Sequence, residues 1–320
     1  MNTMKWLVKR EFWEHRGGFF WAPAIVGALM VLGVTITSIV LMALGSKHGI
    51  MIDGEQVTNL SNVISAERKT HLIDVMANSY VVFAMPLFLI MVFAVFFFCL
   101  GSLFDERKDK SVLFWKSLPI SDENTVLSKL AVALIGAPVL TVAIGVISSV
   151  LILLVVCILA AVAGINLFGV LGQSATYVAP LEIAAIIPVY MLWALPTVGW
   201  LMMVSAWART KPFLWAVGVP VLAGTLLSWF NAMFSFNMNI GWFWQHIVGR
   251  GLLSVVPGSW FGFTNAGQGL HSGNHDGMDF GSLLTQSWQV FGTANLWIGV
   301  AVGAAMIYTA MRLRRWKDEG

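Results

Sequence analysis

From Leu130 to Leu181 the chain runs for 52 residues without an Asp, Glu, Lys or Arg, and the next charge is Glu182. A helix that crosses a bilayer needs about 20 mainly apolar residues. The stretch therefore holds one span, a short turn and the start of another. Gly164, Asn166, Gly169, Gly172 and Gln173 mark the turn. The whole chain has the same character. Hydrophobic residues make up 58% and charged ones only 11%, against about 25% charged in a typical soluble domain. Mean hydropathy is +0.79. A soluble core of this size cannot hide so much apolar surface, so lipid must solvate much of it.

Continuing the count gives six spans, at about 19–44, 79–104, 130–163, 181–207, 213–230 and 290–311. The predicted fold is an all-α polytopic membrane protein, with residues 1–320 forming a single transmembrane domain. The third span is longer than a bilayer requires, so it either projects beyond the membrane or bends at Pro138. Pro188, Pro196 and Pro220 fall inside spans and predict kinks. The first apolar run is far longer than the roughly 7–15 residues of a signal-peptide core, so a retained span is predicted although Ala43 and Gly45 are small. Cys99 and Cys157 both lie in apolar runs and suggest no disulfide framework.

Orientation follows from the cations. Fifteen of the nineteen Lys and Arg residues fall in the first segment, the loops after spans two and four, and the tail. Only Lys47, Arg68, Lys69 and Arg250 fall on the other side. That asymmetry alternates correctly with six spans and predicts both termini in the cytoplasm of a multi-pass inner-membrane protein. A net charge of +3 is too weak to suggest a nucleic-acid surface.

Two outer segments differ in texture. Residues 45–78 read as a small polar loop, helical around Ser65–Met76. Residues 231–289 are rich in Gly, Trp and Phe, with only Arg250, Asp276 and Asp279 charged. The piece Trp242–Val256 is too apolar for a free loop and predicts a helix lying in, or dipping into, the outer leaflet. Trp229, Trp242, Trp244, Trp260 and Trp288 would anchor it at the interface, or are ordinary belt residues with no role in transport. No fixed-period repeat is present.

Absences narrow the function. No charged side chain lies deep in any predicted span, whereas proton- and ion-coupled carriers usually place one there. No histidine is mid-span, which argues against haem ligation in the bundle. There is no G-x-x-x-x-G-K-[ST] phosphate loop, so ATP-driven work would need another chain. His271, His275 and Asp276 match no zinc spacing, and no serine sits in a nucleophile elbow. No metal, cofactor or catalytic site is predicted.

The loop after span two, residues 105–129, carries the most information. Asp105, Glu106, Arg107, Lys108 and Asp109 form a dense run of both signs. A short amphipathic stretch follows, Ser111–Leu118 with Trp115 inside it, and Pro119 stops it. Ser121 before Asp122 and Glu123 is a helix N-cap with first-turn acids, which would start the third helix before the membrane and set Lys129 near the headgroups. Physics alone leaves this loop balanced between a docking surface for a cytosolic partner and a solvated charged edge.

Asp105-Glu-Arg-Lys, Ser111, Ser117-Leu-Pro-Ile-Ser121 and Lys129 together resemble the permeases of type-2 ABC exporters. Ser111-Val112 stands where that family more often has Gly-Thr or Gly-Ser, and Ser128-Lys129 takes the last position. Lys9-Arg-Glu-Phe-Trp-Glu-His15 is similar to the family's amphipathic elbow helix, here residues 1–18. Trp6, Phe12 and Trp13 would then lie in the headgroup zone, with Lys5, Lys9 and Arg10 on phosphates. The topology match covers nearly the whole chain, and the specific match covers only residues 9–16 and 105–129.

The resemblance implies a coupling helix between Asp109 and Leu118, with Asp105, Glu106, Arg107, Lys108, Asp109, Ser111, Trp115, Leu118 and Pro119 coupling to the ATPase. It implies an elbow built on Lys9, Arg10, Glu11 and Trp13, and short re-entrant helices between spans five and six. It implies two ATP-binding subunits, which hold ATP and Mg, together with a second permease copy, as a homodimer, or a related permease in its place. The expected function is a non-enzymatic permease subunit that exports an amphiphilic substrate such as a drug, peptide or lipid. The alternatives are a membrane scaffold of a larger complex, or a lipid-modifying enzyme for which only His271–Asp279 offers clustered polar groups.

Overall fold

The computed structural model describes residues 3–48, 50–52, 55–57, 65–109, 121–234, 239–263 and 280–317. Six helical runs in it are long and apolar enough to cross a membrane: Gly17–Leu44, Ala66–Lys108, Asp122–Val162, Ala175–Trp207, Leu214–Phe234 and Ala294–Arg315. The chain is an all-α, multi-pass membrane protein. The 41 residues of the third run would reach about 60 Å, twice the roughly 30 Å of a hydrocarbon core. Its charged first turns therefore extend past the apolar layer.

The runs are built from shorter helices. α1 is Thr3–Glu14, and α2, Ala22–His48, follows a wide turn. A small antiparallel hairpin pairs β1 (Ile50–Ile52) with β2 (Glu55–Val57), Ile50 opposite Val57. The second run joins α3 (Ala66–Ser79), α4 (Met85–Gly101) and α5 (Phe104–Lys108). The third joins α6 (Asp122–Ala131) to α7 (Ala137–Val162) through a π-helical turn at Val132–Gly136. Pro138 sits in the first turn of α7, where its missing N–H does little harm. Ser121 Oγ accepts the Asn124 N–H and caps α6, with Asp122 and Glu123 in its first turn.

Gly164 ends α7. It adopts φ +85°, a region that costs a side-chain-bearing residue energy. Its N–H reaches Ala161 O, and Ile165 N–H reaches Ala160 O, which satisfies the last carbonyls. The fourth run breaks at Ile186 into α8 (Ala175–Ala185) and α9 (Ile187–Trp207), with Pro188 opening the second piece. The remaining α-helices among the described residues are α10 (Val219–Phe234), α11 (Ile240–Phe243), α12 (Arg250–Leu253), α13 (Phe280–Gln289) and α14 (Ala294–Lys317).

α9 is the central post. Trp193, Val198, Leu201 and Met202 are wholly buried, packed with Val95 and Cys99 of α4 and Leu296 and Ala310 of α14. α9 and α14 touch backbone to backbone. A Cβ on Gly199 would lie 2.6 Å from Gly303 O, and one on Gly303 would lie 2.7 Å from Leu195 O. Both positions must be glycine for the helices to pack this closely. A second core joins Ile73, Ala77 and Tyr80 to Leu153, Cys157 and Val170. The first and fifth runs remain largely uncovered, with Leu29, Ile36, Leu222 and Leu226 exposed.

The described parts of the segment between the fifth and sixth runs, residues 239–263 and 280–293, are folded onto the bundle. Trp244 packs on Gly224 of α10 and donates to Ser228 Oγ at 3.0 Å. Trp260 is buried and donates to Ser287 Oγ at 3.1 Å. Among the five tryptophans read as interface anchors, Trp229, Trp242 and Trp288 are exposed, whereas Trp260 belongs to the core. A buried hydrogen-bond partner, which sequence cannot display, makes the difference.

Candidate functional site: a buried ion network at one end of the bundle

Glu11, Glu106, Lys129 and Arg314 come from four distant parts of the chain and are all buried. Lys129 Nζ donates to Glu11 Oε2 at 2.8 Å and lies 2.9 Å from Glu106 Oε1. Arg314 Nη1 donates to Glu106 Oε2 at 2.7 Å, and its Nε donates to Asp122 Oδ1 at 3.1 Å. Arg10 Nη2 donates to Glu11 Oε1 at 2.9 Å, and its Nε pairs with Glu14 Oε1 at 2.9 Å. Three cations thus meet three inner carboxylates, with Glu14 at the rim.

Each helix delivers its charge for a local reason. α1 places Leu7 and Glu11 four residues apart on its covered face. α5 continues past the apolar α4 and turns Glu106 inward while Asp105, Lys108 and Asp109 stay exposed. α6 begins at its Ser121 cap and reaches Lys129 two turns later. α14 brings Arg314 in its last turns. Burial pushes the Glu106 carboxyl up, but Lys129 and Arg314 outweigh it and hold the group below the ordinary carboxylate value.

A second lock lies beside the network. Arg107 Nη2 donates to the carbonyls of Ser205 and of Ala208, the latter at 2.9 Å. Ser205 Oγ in turn accepts the N–H groups of Leu103 and Phe104, each at 3.0 Å. The end of α4 and the end of α9 are therefore tied together through the first turn of α5.

The structure brings Arg10, Glu11 and Glu106 into one cluster and puts Arg107 next to it. Lys9 and Trp13 point away, with Lys9 Nζ 5.2 Å from the Trp6 ring and Arg16 5.6 Å from the Trp13 ring. Ser111, Trp115, Leu118 and Pro119 lie outside the described residues, as do His271, His275 and Asp276. Sequence reasoning missed Asp122 and Arg314 as members. It had read Asp122 as a first-turn acid and Arg314 as one of the tail cations, and no spacing rule pairs residues 192 positions apart. Glu11, Glu14 and His15 lie close enough together to suggest a metal site. However, the Glu11 carboxylate is already held by Lys129 and Arg10.

The network's carboxylates are all matched by cations. What it can do is mechanical. Four helix ends that share desolvated charges cannot separate without exposing an unpaired buried ion. The site therefore belongs to a multi-pass membrane protein whose α1, α5, α6 and α14 are locked at one end. No protein-family model, curated protein or solved structure matches the chain.

Proposed function

We propose that this chain is the membrane-spanning subunit of an ATP-driven exporter, worked by a separate ATPase. The observation that carries the reading is the ion network. Residues 110–120 connect α5 to α6, and both of those helices are anchored in it. A push delivered there would reach α1 and α14 without slack. The likeness of residues 105–129 and 9–16 to type-2 ABC permeases supports the same assignment. So does the absence of a phosphate loop, which leaves ATP and Mg to a partner.

In this reading the network end faces the cytoplasm of a bacterial inner membrane, in line with the distribution of Lys and Arg. α1 serves as the elbow helix, the segments within 239–263 serve as re-entrant pieces, and residues 109–118 couple to the ATPase. Two copies of this chain would assemble with two ATPase subunits. The exposed apolar faces of the first and fifth runs offer surface for a second copy as well as for lipid. The substrate is amphiphilic, in keeping with the Trp-, Phe- and Met-rich spans. Co-expression with the ATP-binding cassette subunit encoded nearest to it tests the reading. A stable complex that depends on residues 105–129 is expected, and failure to bind any such subunit would overturn it.

A further inference from the structure

Arg250 opens α12, yet its side chain is only 7% exposed. Its guanidinium carbon lies 4.0 Å from the centre of the Trp193 ring and 5.9 Å from that of Phe263. A Cβ on Gly299 would collide with Nη2 and lie 2.9 Å from Cζ, so glycine there makes room for the guanidinium. Trp193 is the seventh residue of α9 and Gly299 the sixth of α14. The cation thus sits roughly 8 Å inside both helix ends at 1.5 Å per residue. The segment expected to lie in, or dip into, the outer leaflet therefore carries a charge into the bundle.

Among the described residues nothing neutralises it. Nε and Nη2 are buried without a hydrogen-bond partner. Among the described residues no carboxylate forms an ion pair with Arg250. A buried guanidinium with unused N–H groups is costly, and the fold nevertheless fixes its backbone. Thr197 Oγ1 donates to Arg250 O at 3.1 Å and accepts Ser254 N–H at 3.0 Å, while Ser254 Oγ donates to Arg250 O at 2.6 Å. The Trp193 ring supports the guanidinium by a cation–π contact, which uses none of its N–H groups.

Arg250 lines a cavity of about 710 Å³. Its other walls include Trp200, Trp242, Ile298 and Val302, with His246 and Asn295 as polar members. Trp242, Ile298 and Val302 are exposed, so the cavity opens on the flank of the bundle, where lipid chains would lie. We propose that this cavity binds an anionic amphiphile. A phosphate head takes the free N–H groups of Arg250, and the acyl chain passes over Trp200 and Ile298 to the bilayer. A bidentate phosphate fits the planar donor edge. The proposal does not rest on the exporter reading, because binding is measured without an ATPase.

Native mass spectrometry of the full chain released from maltoside micelles tests it. The probes are dioleoyl phosphatidic acid, dioleoyl phosphatidylglycerol, dioleoyl phosphatidylcholine and inorganic phosphate. Wild type should retain one anionic lipid more tightly than phosphatidylcholine. Arg250→Met should weaken that retention by about tenfold to a hundredfold, the range of a charge-assisted contact, and should leave phosphatidylcholine unchanged. Arg250→Lys should fall between the two. Should Arg250→Met fail to accumulate, Ile298→Trp narrows the mouth without touching the charge and should also weaken the anionic lipid. Unchanged anionic retention in these variants, or equal retention of phosphatidylcholine by wild type, would overturn the proposal. Inorganic phosphate that displaces the lipid at equal concentration would overturn the amphiphile and leave only a small-anion site.

Discussion

The Lys129 ammonium lies 2.8 Å from the Glu11 carboxylate, 118 residues away in the chain, and both side chains are at 2% exposure or less. Such a pair adds little net stability over apolar packing, but breaking it leaves a buried charge alone. Lys129→Met would remove the cation shared by Glu11 and Glu106. We expect a loss of roughly 3–5 kcal/mol, seen as a lower melting temperature in detergent by tryptophan fluorescence. Adding Glu11→Gln should cost less than the two changes summed, because the partner charge is gone as well.

Glu106 predicts a pH dependence. Lys129 and Arg314 hold its folded value below the ordinary 4.5 despite the opposing effect of burial. The stability it contributes is therefore fully present above about 4.5 and is lost as pH falls through the folded value. Melting temperature measured from about pH 6 down to about pH 3 should drop in wild type. In Glu106→Gln it should start lower at neutral pH and show a shallower drop over that window.

Ser205 holds two backbone N–H groups, those of Leu103 and Phe104, with one hydroxyl. Ser205→Ala removes the acceptor from a buried and a half-buried N–H and should cost about 1–3 kcal/mol. Hydrogen exchange should then rise at Leu103 and Phe104, while α7, which is remote from the lock, stays protected.

Gly303 sets the approach of α14 to α9. Gly303→Ala puts a Cβ 2.7 Å from Leu195 O and 2.9 Å from Pro196 N, both of them rigid backbone. The helices must move apart, at a cost of about 1–3 kcal/mol, read as a lower melting temperature. Gly292→Ala meets open space and should leave the melting temperature unchanged.

Much of the fold was legible because charge is expensive in lipid. The uncharged stretch after Leu130 and the lysines and arginines at its borders marked helical runs before any packing was known. The Ser121 cap was legible because its acceptor lies three residues away. Lys129 was visible as a cation near the headgroups, but its partners come from α1 and α5, and pairing over such separations leaves no local trace. The apolar character of Trp242–Val256 was legible, but the place of Arg250 over Trp193 and beside Gly299 depends on two distant helices and leaves no local trace.

ATP hydrolysis by the assembled complex in lipid nanodiscs tests the central claim most directly. The chain should raise the rate of its ATPase partner when substrate is present. Trp115→Asp or Leu118→Asp should return that rate to the level of the ATPase alone and abolish transport, while membrane insertion and the melting temperature of this chain stay unchanged. Wild-type stimulation and transport by either variant would contradict the account.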